Sequence, residues 1–380
     1  MVVPDPVELT QALVRVDTVN PPGHEDRCIE ILADLLSAAG FSCRTHEFAP
    51  RRTSLVARVG GSAARAPLAF TGHVDVVPLG VAAWRHDPFG ASVVDGRLYG
   101  RGSSDMKSGV AAFTAAAIAQ ADRLREGPGL SLIITAAEET GCEGAFAMAR
   151  SPESRELLGS AGALVVAEPT GNAPLLGHKG AFWLSAQAQG STAHGSMPER
   201  GDNAIYKIAR AALVLEQFRF ETPEHVLMGV PTLNVGTVSG GLNINSVPDA
   251  AELGIDIRTV AGQDHAKLLQ CLCRVLGPEI ALCPRLDVDS VYTEPDDPWI
   301  RRVFALCGAR SGVAPAHRTV SYFTDAAALR LPLGMPPVVI LGPGEPGMAH
   351  QTDEYCHVDR IREAQALFAD LIADWCEAAS

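Results

Sequence analysis

Histidine and carboxylate side chains follow apolar stretches at five places in this 380-residue sequence. They are His73 and Asp75 in "LAFTGHVDVVP", Asp105 in "YGRGSSDMKSG", Glu138 and Glu139 in "LIITAAEET", Glu168 in "LVVAEPT" and His350 in "GMAHQTDEY". Imidazoles and carboxylates are ligands of divalent metal ions. Each residue alone has an ordinary explanation, since an aspartate before a helix is most often an N-cap. The repetition of one pattern along the chain favours a shared site.

The segments that carry these residues predict alternating strands and helices. "SLVARVG", "APLAFTGHVDVVP", "LSLIITAAEE" and "AGALVVAEPT" are typical of buried strands, whereas "CIEILADLLSAAG" and "SGVAAFTAAAIAQADRL" are typical of helices. Strands separated by helices of this length predict an α/β fold with a mostly parallel sheet. Functional residues in such sheets lie just beyond the carboxyl ends of the strands. We therefore expect the histidines and carboxylates to converge in one crevice.

The pattern changes after Gly177. "AFWLSAQAQG" predicts a half-exposed strand, and a helix ("NAIYKIARAALVLEQF"), two strands ("PTLNVGTVSGG" and "AAELGIDIRTV") and a second helix ("DHAKLLQCLCRVLG") follow it. This order indicates a second, α+β domain inserted into the first. The closing segment, a buried strand "PPVVIL" and a long amphipathic helix, suits a return to the first domain.

Composition excludes several classes of protein. The formal net charge of −13 argues against nucleic acid or a membrane surface as partner. We find no apolar run of about 18 residues, as a membrane-spanning helix requires, and no signal-peptide pattern at the N-terminus. The nine cysteines form no CxxC pair, which favours free thiols in a reducing, cytoplasmic location.

Convergence of these carboxylates and two imidazoles would require neutralising cations, because the carboxylates would otherwise repel one another or stay protonated. Oxygen-rich sites with one histidine per metal suit Zn²⁺, Co²⁺ or Mn²⁺. This number of groups exceeds one tetrahedral shell, so two metal ions that share a carboxylate are favoured. Two-metal sites of this kind activate water for hydrolysis.

The chain resembles the zinc-dependent M20 family of amidohydrolases and carboxypeptidases along essentially its whole length. The resemblance rests on "GHVDVVP" (72–78), "DPFGASVVDGRLYGRGSSDMKSG" (87–109), "EETGCEGA" (138–145), "EPT" (168–170), "HKGAFW" (178–183), "GSTAHGSMPERGDNAI" (190–205), "PTLNVGTVSGGLNINSVPD" (231–249), "DIR" (256–258) and "GPGEPGMAHQTDEY" (342–355). The family includes succinyl-diaminopimelate desuccinylase and carboxypeptidase G2-like enzymes. The nearest likeness is to acetylornithine deacetylase, through "GHKG", "PTLNVG", "DIR" and "AHQTDEY".

The resemblance implies a role for each candidate ligand. His73 and Glu168 would bind one metal ion, Glu139 and His350 would bind the other, and Asp105 would bridge the two. Asp75 would not bind a metal ion but would orient the imidazole of His73. A cis peptide bond would follow Asp105.

The resemblance also divides the work of the two adjacent glutamates: Glu138 would be the general base, and Glu139 a ligand. Neighbouring residues on an extended backbone point to opposite sides. We therefore expect the strand "LIITAAEE" to direct one carboxylate to the metal and the other to the water molecule.

Residues of the inserted domain receive roles in the same way. His194 in "GSTAHGSMP" would cross a dimer interface and stabilise the oxyanion of the tetrahedral intermediate. Asn245 and Arg258 would hold the carboxylate of the substrate, for which a guanidinium is well suited. Thr324 and Asp325 in "SYFTDAAAL" fit the substrate loop of the family, but Tyr322 and Phe323 are bulkier than acetylornithine deacetylase leads us to expect.

Three segments with separate roles follow from this likeness. Residues 1–177 and 292–380 would form the catalytic, metal-binding domain. Residues 178–291 would form a ferredoxin-like lid domain through which the chain makes a homodimer.

The expected function is hydrolysis of the amide bond of an N-acyl amino acid, with N-acetyl-L-ornithine as the preferred substrate. N-succinyl-diaminopimelate, a broader range of N-acyl amino acids and dipeptides are the alternatives. A catalytically inactive relative would have lost a site residue, and none is lost. A serine hydrolase would show a GxSxG turn, which "GSTAHGS" does not match.

Overall fold

Two compact units make up the chain in this computed structural model, which describes residues 3–61 and 65–377. The first unit contains Met1–Gly177, Tyr292–Arg318 and Thr324–Ser380. The second contains His178–Val291 and the short segment Thr319–Phe323. The assignment of a catalytic role to one part and a lid role to the other stays a prediction.

A six-stranded sheet is the framework of the first unit. Across the sheet its strands are Ser42–Ala49, Arg52–Val59, Leu130–Thr135, Leu68–His73, Ala163–Val166 and Val338–Ile340. The last four run parallel to one another, and the first two are joined antiparallel at one edge. All four parallel strands are buried along their whole length. The predicted mostly parallel sheet is confirmed.

The helices of the first unit cover this sheet. They are Pro6–Val14, Asp26–Ala38, Ser108–Ala119, Ala121–Glu126, Glu143–Arg150, Pro152–Leu158, Pro298–Ser311, Ala326–Leu329 and Val358–Glu377. The alanine-rich helix Ser108–Ala119 is buried on every side, because its small side chains allow neighbours to approach closely. At its start a Cβ on Gly109 would lie 2.2 Å from the carbonyl oxygen of Ala167. Only glycine therefore allows this helix to pack against the segment that carries Glu168.

Short elements complete the first unit and the chain's connections. The strands Val93–Val94, Arg97–Tyr99 and Tyr355–His357 form a small antiparallel sheet. The strands Gly177–His178 and Val291–Tyr292 and the single helical turns Ser103–Lys107, Pro198–Arg200 and Pro346–Met348 are the remaining regular segments.

The second unit is a four-stranded antiparallel sheet with two helices. The strand order is Thr232–Gly240, Ala250–Thr259, Gly180–Gln189 and Ile280–Val288. Helices Ala204–Glu216 and His265–Leu276 share a hydrophobic core with this sheet. The chain order, strand–helix–strand–strand–helix–strand, is ferredoxin-like, as expected. The strand Gly180–Gln189 is largely buried rather than half-exposed, because it lies between two other strands.

Two further sequence features can be compared with the structure. All nine cysteines are free thiols. Among the described residues, no helix is both long enough and apolar enough to cross a membrane.

Candidate metal centre

The carboxyl ends of three neighbouring strands bring most of the candidate ligands together. Strand Leu68–His73 ends on His73 itself. Strand Leu130–Thr135 is followed by Glu138 and Glu139, and Ala163–Val166 by Glu168. Because these strands are parallel neighbours, their ends lie at one edge of the sheet.

The Asp105 carboxylate lies between the two histidines. Its Oδ1 is 3.3 Å from Nε2 of His73, and its Oδ2 is 3.5 Å from Nε2 of His350. Glu168 Oε1 lies 3.8 Å from the same nitrogen of His73, and Glu139 Oε2 lies 3.1 Å from that of His350. The five residues thus form two groups, each with one histidine and one glutamate, and the aspartate belongs to both. The peptide bond between Asp105 and Met106 is cis, as expected.

His73 has the tautomer that a metal ligand needs. Its Nδ1 lies 3.0 Å from the backbone carbonyl oxygen of Asp75, which can only accept a hydrogen bond. The proton of the neutral ring therefore stands on Nδ1, and the lone pair of Nε2 faces the carboxylates. The side chain of Asp75 is more distant, with Oδ1 3.6 Å from Nδ1. Asp75 thus orients the imidazole mainly through its backbone.

The carboxylate of Asp75 instead holds the turn that contains the two glutamates. It accepts the backbone N–H groups of Glu138 at 3.0 Å and Glu139 at 3.2 Å. It also accepts the side-chain amide of Asn20 at 2.9 Å, and that amide donates to Thr140 Oγ1 at 3.1 Å.

The expectation that a strand separates the two glutamates is wrong. The strand ends at Thr135, and Ala137 has a φ of 59°, which turns the chain before Glu138. The carbonyl of Glu138 then accepts the N–H groups of Gly141 and Cys142 in a tight turn. The turn, rather than the alternation of an extended backbone, directs the Glu139 carboxylate to His350. Glu138 lies on the other side, with Oε2 3.9 Å from His73 Nε2.

Burial and mutual repulsion shift the pKa values of this cluster strongly. Burial, together with the charges of neighbouring carboxylates, raises the pKa of Glu138 and of Glu168 well above the ordinary value. Burial, and then the charge of Asp105, raises the pKa of Glu139 to about 7. Burial alone would lower the pKa of His73, but the hydrogen bond with Asp105 and the surrounding carboxylates raise it well above its ordinary value. These shifts favour protonated glutamates in the cluster where no cation neutralises their charge.

The donor atoms fit divalent cations. His73, Asp105 and Glu139 each offer one ligand atom, and these atoms all lie within 4.8 Å of one another. Within the described part of the chain, Asp105 Oδ1 and Glu139 Oε1 are buried and accept no well-aligned hydrogen bond. Buried carboxylate oxygens without a donor are costly. A bound metal ion would satisfy both.

One carboxylate of the expected substrate loop, that of Asp325, is buried beside the centre, which the sequence did not indicate. Asp325 is 2% exposed and accepts a hydrogen bond from Thr135 Oγ1. Burial raises its pKa to about 6. Cys142 Sγ approaches Glu138 Oε1 at 3.8 Å, so the thiol adjoins the carboxylate of the expected base. An acid after Thr324 in "SYFTDAAAL" was the available signal, but nothing in that stretch indicates burial.

The second unit brings two of its candidate residues together. Gly195 N donates to the carbonyl oxygen of Asn245 at 2.7 Å, so the segments that carry His194 and Asn245 are adjacent. His194 is exposed, and its Nδ1 accepts the backbone N–H of Ser196 at 3.2 Å. Its Nε2 therefore carries the ring proton and can donate a hydrogen bond.

The other two candidate binding residues are engaged within the chain. Arg258 forms an ion pair with Asp256, with 3.0 Å between Nε and Oδ1. Thr324 is fully buried, and its Oγ1 accepts the N–H of Ala326 at 3.2 Å. These contacts occupy the groups that were expected to hold a substrate.

A second group of potential ligands lies in the second unit. His265, Asp287 and Asp289 also place three donor atoms within 4.8 Å of one another. Here an ordinary hydrogen bond, 2.6 Å between His265 Nδ1 and Asp287 Oδ1, accounts for the arrangement, and both aspartates are exposed.

Comparison with known proteins identifies relatives of the whole chain. The model of "Peptidase family M20/M25/M40" matches residues 69–374. The structure is similar to an M20 family metallo-carboxypeptidase from Sulfolobus solfataricus, with 17% sequence identity, a TM-score of 0.78 and coverage of 98% of this chain and 100% of that one.

Two bacterial structures have the same fold. An aminopeptidase PepT from Bacillus cereus has 19% identity and a TM-score of 0.74 and covers 98% of both chains. A dinuclear metal-binding peptidase of the M20 family from Bacillus subtilis has 16% identity and a TM-score of 0.71, also with 98% of both chains covered.

Proposed function

Because the chain belongs to the peptidase family M20/M25/M40, we propose that it is a dinuclear metal-dependent hydrolase that cleaves the amide bond of N-acyl amino acids. The observation that carries the proposal is the Asp105 carboxylate, whose two oxygens face two different histidines. A carboxylate in this position can bridge two cations. Neither a serine hydrolase nor a single-metal site requires it.

The ligands would divide as the family resemblance implies, and the distances are compatible with that division. His73 and Glu168 would hold one cation, Glu139 and His350 the other, and Asp105 both. Zn²⁺ is the first choice for such a donor set, and Co²⁺ or Mn²⁺ are alternatives. When bound, the two cations would polarise the scissile carbonyl and lower the pKa of a water molecule.

Glu138 is the proposed general base. Its carboxylate lies 3.9 Å from His73 Nε2, about as near as that of Glu168, and the family resemblance assigns it the role of base rather than ligand. Burial raises its pKa from the ordinary value. A base that takes a proton from water and returns it to the leaving amine needs a pKa near the working pH. Asp75 supports this step by holding the backbone N–H of Glu138.

Residues of the second unit would bind the substrate and its developing charge. His194 can donate through Nε2 to the oxyanion. Asn245, adjacent to it, and Arg258 would hold the α-carboxylate. Since Arg258 already pairs with Asp256, a substrate carboxylate would have to share or displace that partner.

A homodimer through residues 178–291 is the proposed assembly. Among the described residues, the edge strand Thr232–Gly240 pairs on one side only, and its Val238 is 70% exposed. The helix Ala204–Glu216 exposes Tyr206 and Leu213 at 65% and 63%. An apolar helix face beside an open strand edge suits a second copy of the same surface.

The preferred substrate is N-acetyl-L-ornithine, which would place the enzyme in amino-acid biosynthesis. Succinyl-diaminopimelate, other N-acyl amino acids and dipeptides are the alternatives within the same chemistry. Nine free thiols favour a reducing compartment, so we propose a cytoplasmic location.

A substrate panel tests the function. Metal-free protein is assayed with Zn²⁺, Co²⁺ and Mn²⁺ on N-acetylornithine, N-succinyl-diaminopimelate, other N-acetyl amino acids and dipeptides. We expect hydrolysis that requires added metal and is fastest with N-acetylornithine. A faster alternative substrate would overturn the choice of substrate, and no metal-dependent hydrolysis of any amide would overturn the function itself.

A further inference from the structure

The carboxylate of Glu354 is fully buried and collects hydrogen bonds from the segment that carries Asp105. Its Oε2 accepts the backbone N–H of Gly102 at 2.9 Å. Its Oε1 accepts those of Ser104 at 2.8 Å and Asp105 at 3.0 Å. We propose that Glu354 is a positioning residue that presents Asp105 to both metal ions, an inference that rests on the proposed dinuclear centre.

The loop needs such an acceptor because its backbone is irregular. Gly102 has a φ of 82°, and Asp105 (φ −114°, ψ 94°) departs from helical geometry within the turn Ser103–Lys107. The N–H groups of this stretch therefore point inward and converge, as they do in anion-binding backbone nests. Without the carboxylate these buried donors would lack partners, which destabilises this conformation of the loop.

Arg101 fixes the other side of Glu354. Its Nη1 lies 2.6 Å from Glu354 Oε2, and the guanidinium also donates to the carbonyl oxygens of Gln351 and Pro78 at 3.3 Å. The side chain of Arg101 is 2% exposed. The buried guanidinium of Arg101 and the N–H groups of the loop thus hold the Glu354 carboxylate in one position.

The same contacts join the two segments that supply ligands. Glu354 lies four residues after His350 in the chain. Ser104 Oγ donates to the carbonyl oxygen of Tyr355 at 2.7 Å and accepts the N–H of Glu345 at 2.8 Å. Asp105 and His350 are therefore placed by one network. Its loss would disturb the bridging ligand rather than one metal alone.

A different explanation is that Glu354 only stabilises the fold, and Glu25 provides the matched control. Glu25 is also a fully buried carboxylate paired with an arginine, since Arg52 Nε lies 2.9 Å and 3.1 Å from its two oxygens. Within the described residues, its side chain binds Arg52 and accepts the N–H of His24, and neither is a candidate ligand. Replacement of Glu25 removes a comparable ion pair without touching the Asp105 loop.

The experiment measures Zn²⁺ and Co²⁺ binding to the full chain by chelator competition, with the Co²⁺ absorption spectrum as a second readout. Variants are Glu354→Gln, Glu354→Asp and Glu25→Gln. We expect Glu354→Gln to weaken metal binding about 10- to 100-fold, the usual effect of losing a residue that supports a metal ligand by hydrogen bonds. We also expect it to change the Co²⁺ spectrum. Glu354→Asp should recover part of the affinity, and Glu25→Gln should bind as the wild type does.

Wild-type affinity and spectrum in Glu354→Gln, or an equal loss in Glu25→Gln, would overturn the inference. Binding of fewer than two metal ions by the wild type would instead overturn the proposed function. If Glu354→Gln does not fold, amide exchange of the metal-free wild type decides. Slow exchange of the N–H groups of Gly102, Ser104 and Asp105 would show that Glu354 already binds them in the metal-free protein, which supports the inference. Fast exchange there overturns it.

Discussion

Addition of Zn²⁺ to the metal-free protein should release protons at pH 7. The buried cluster around Asp105 retains protons because burial and mutual repulsion raise the pKa values of its glutamates. Metal ions bind the deprotonated forms of carboxylate and imidazole. Binding must therefore expel the protons that kept the cluster neutral.

The size of the release follows from the shifted groups. Glu139, with a pKa of about 7, holds about half a proton at pH 7. The pKa of His73 is also raised well above its ordinary value, because its hydrogen bond with Asp105 and the surrounding carboxylates outweigh its burial. Glu139 alone therefore gives a release of about half a proton per chain at pH 7, and the raised pKa values of His73 and Glu168 add to that release. The release should fall as the pH rises, because the groups then lose their protons before the metal ion arrives.

Calorimetric titration in buffers of different ionisation enthalpy measures this number. The slope of the observed binding enthalpy against the buffer enthalpy is the number of protons released. A Glu153→Gln variant is the control. Glu153 is exposed on the helix Pro152–Leu158, so its replacement should leave the slope unchanged.

A release below about half a proton at pH 7, the amount expected from Glu139 alone, would refute the reasoning. A release that increases between pH 7 and pH 9 would do the same, since it has the opposite sign.

Three further predictions concern the same residues. The metal-free protein should melt at a lower temperature at pH 8 than at pH 6. Folding raises the pKa of Glu139 to about 7 and that of Asp325 to about 6, so loss of their protons destabilises the folded state. Equal melting temperatures would contradict this. Asp75→Asn should weaken Zn²⁺ binding about 10- to 100-fold, since the N–H groups of Glu138 and Glu139 are accepted by different oxygens of Asp75 and asparagine keeps only one of them; unchanged affinity in chelator competition would count against that role. His194→Ala should lower kcat about 100- to 1,000-fold with little change in KM, and mixing it with Glu138→Ala should restore activity if His194 acts across a dimer; no recovery would argue against action in trans.

Much of the fold could be predicted because its signals are local. Continuous apolar runs at Leu68–His73 and Leu130–Thr135 predict buried parallel strands, and the ligand types follow them directly. The strand Ile280–Val288 was missed because Pro284 and its exposed polar neighbours hide an edge strand. The strand Ser42–Ala49 is likewise polar and at an edge.

The parts of the site that could not be predicted depend on contacts between distant segments. Asp325 comes to lie against Thr135, 190 positions earlier in the chain. Glu354 binds a loop about 250 positions away. Neither contact has a periodic or spacing signature, so "TDAAAL" and "TDEY" indicate acidic residues without showing that they are buried.

The most direct test of the central claim compares Glu138→Gln with Glu139→Gln, by metal content and by turnover on the preferred substrate. The claim predicts that Glu138→Gln keeps two metal ions per chain and loses turnover about 100- to 10,000-fold, as expected for a missing general base. It predicts that Glu139→Gln retains fewer metal ions at the same free concentration. Near wild-type turnover in Glu138→Gln, or two tightly bound metal ions in Glu139→Gln, would contradict it.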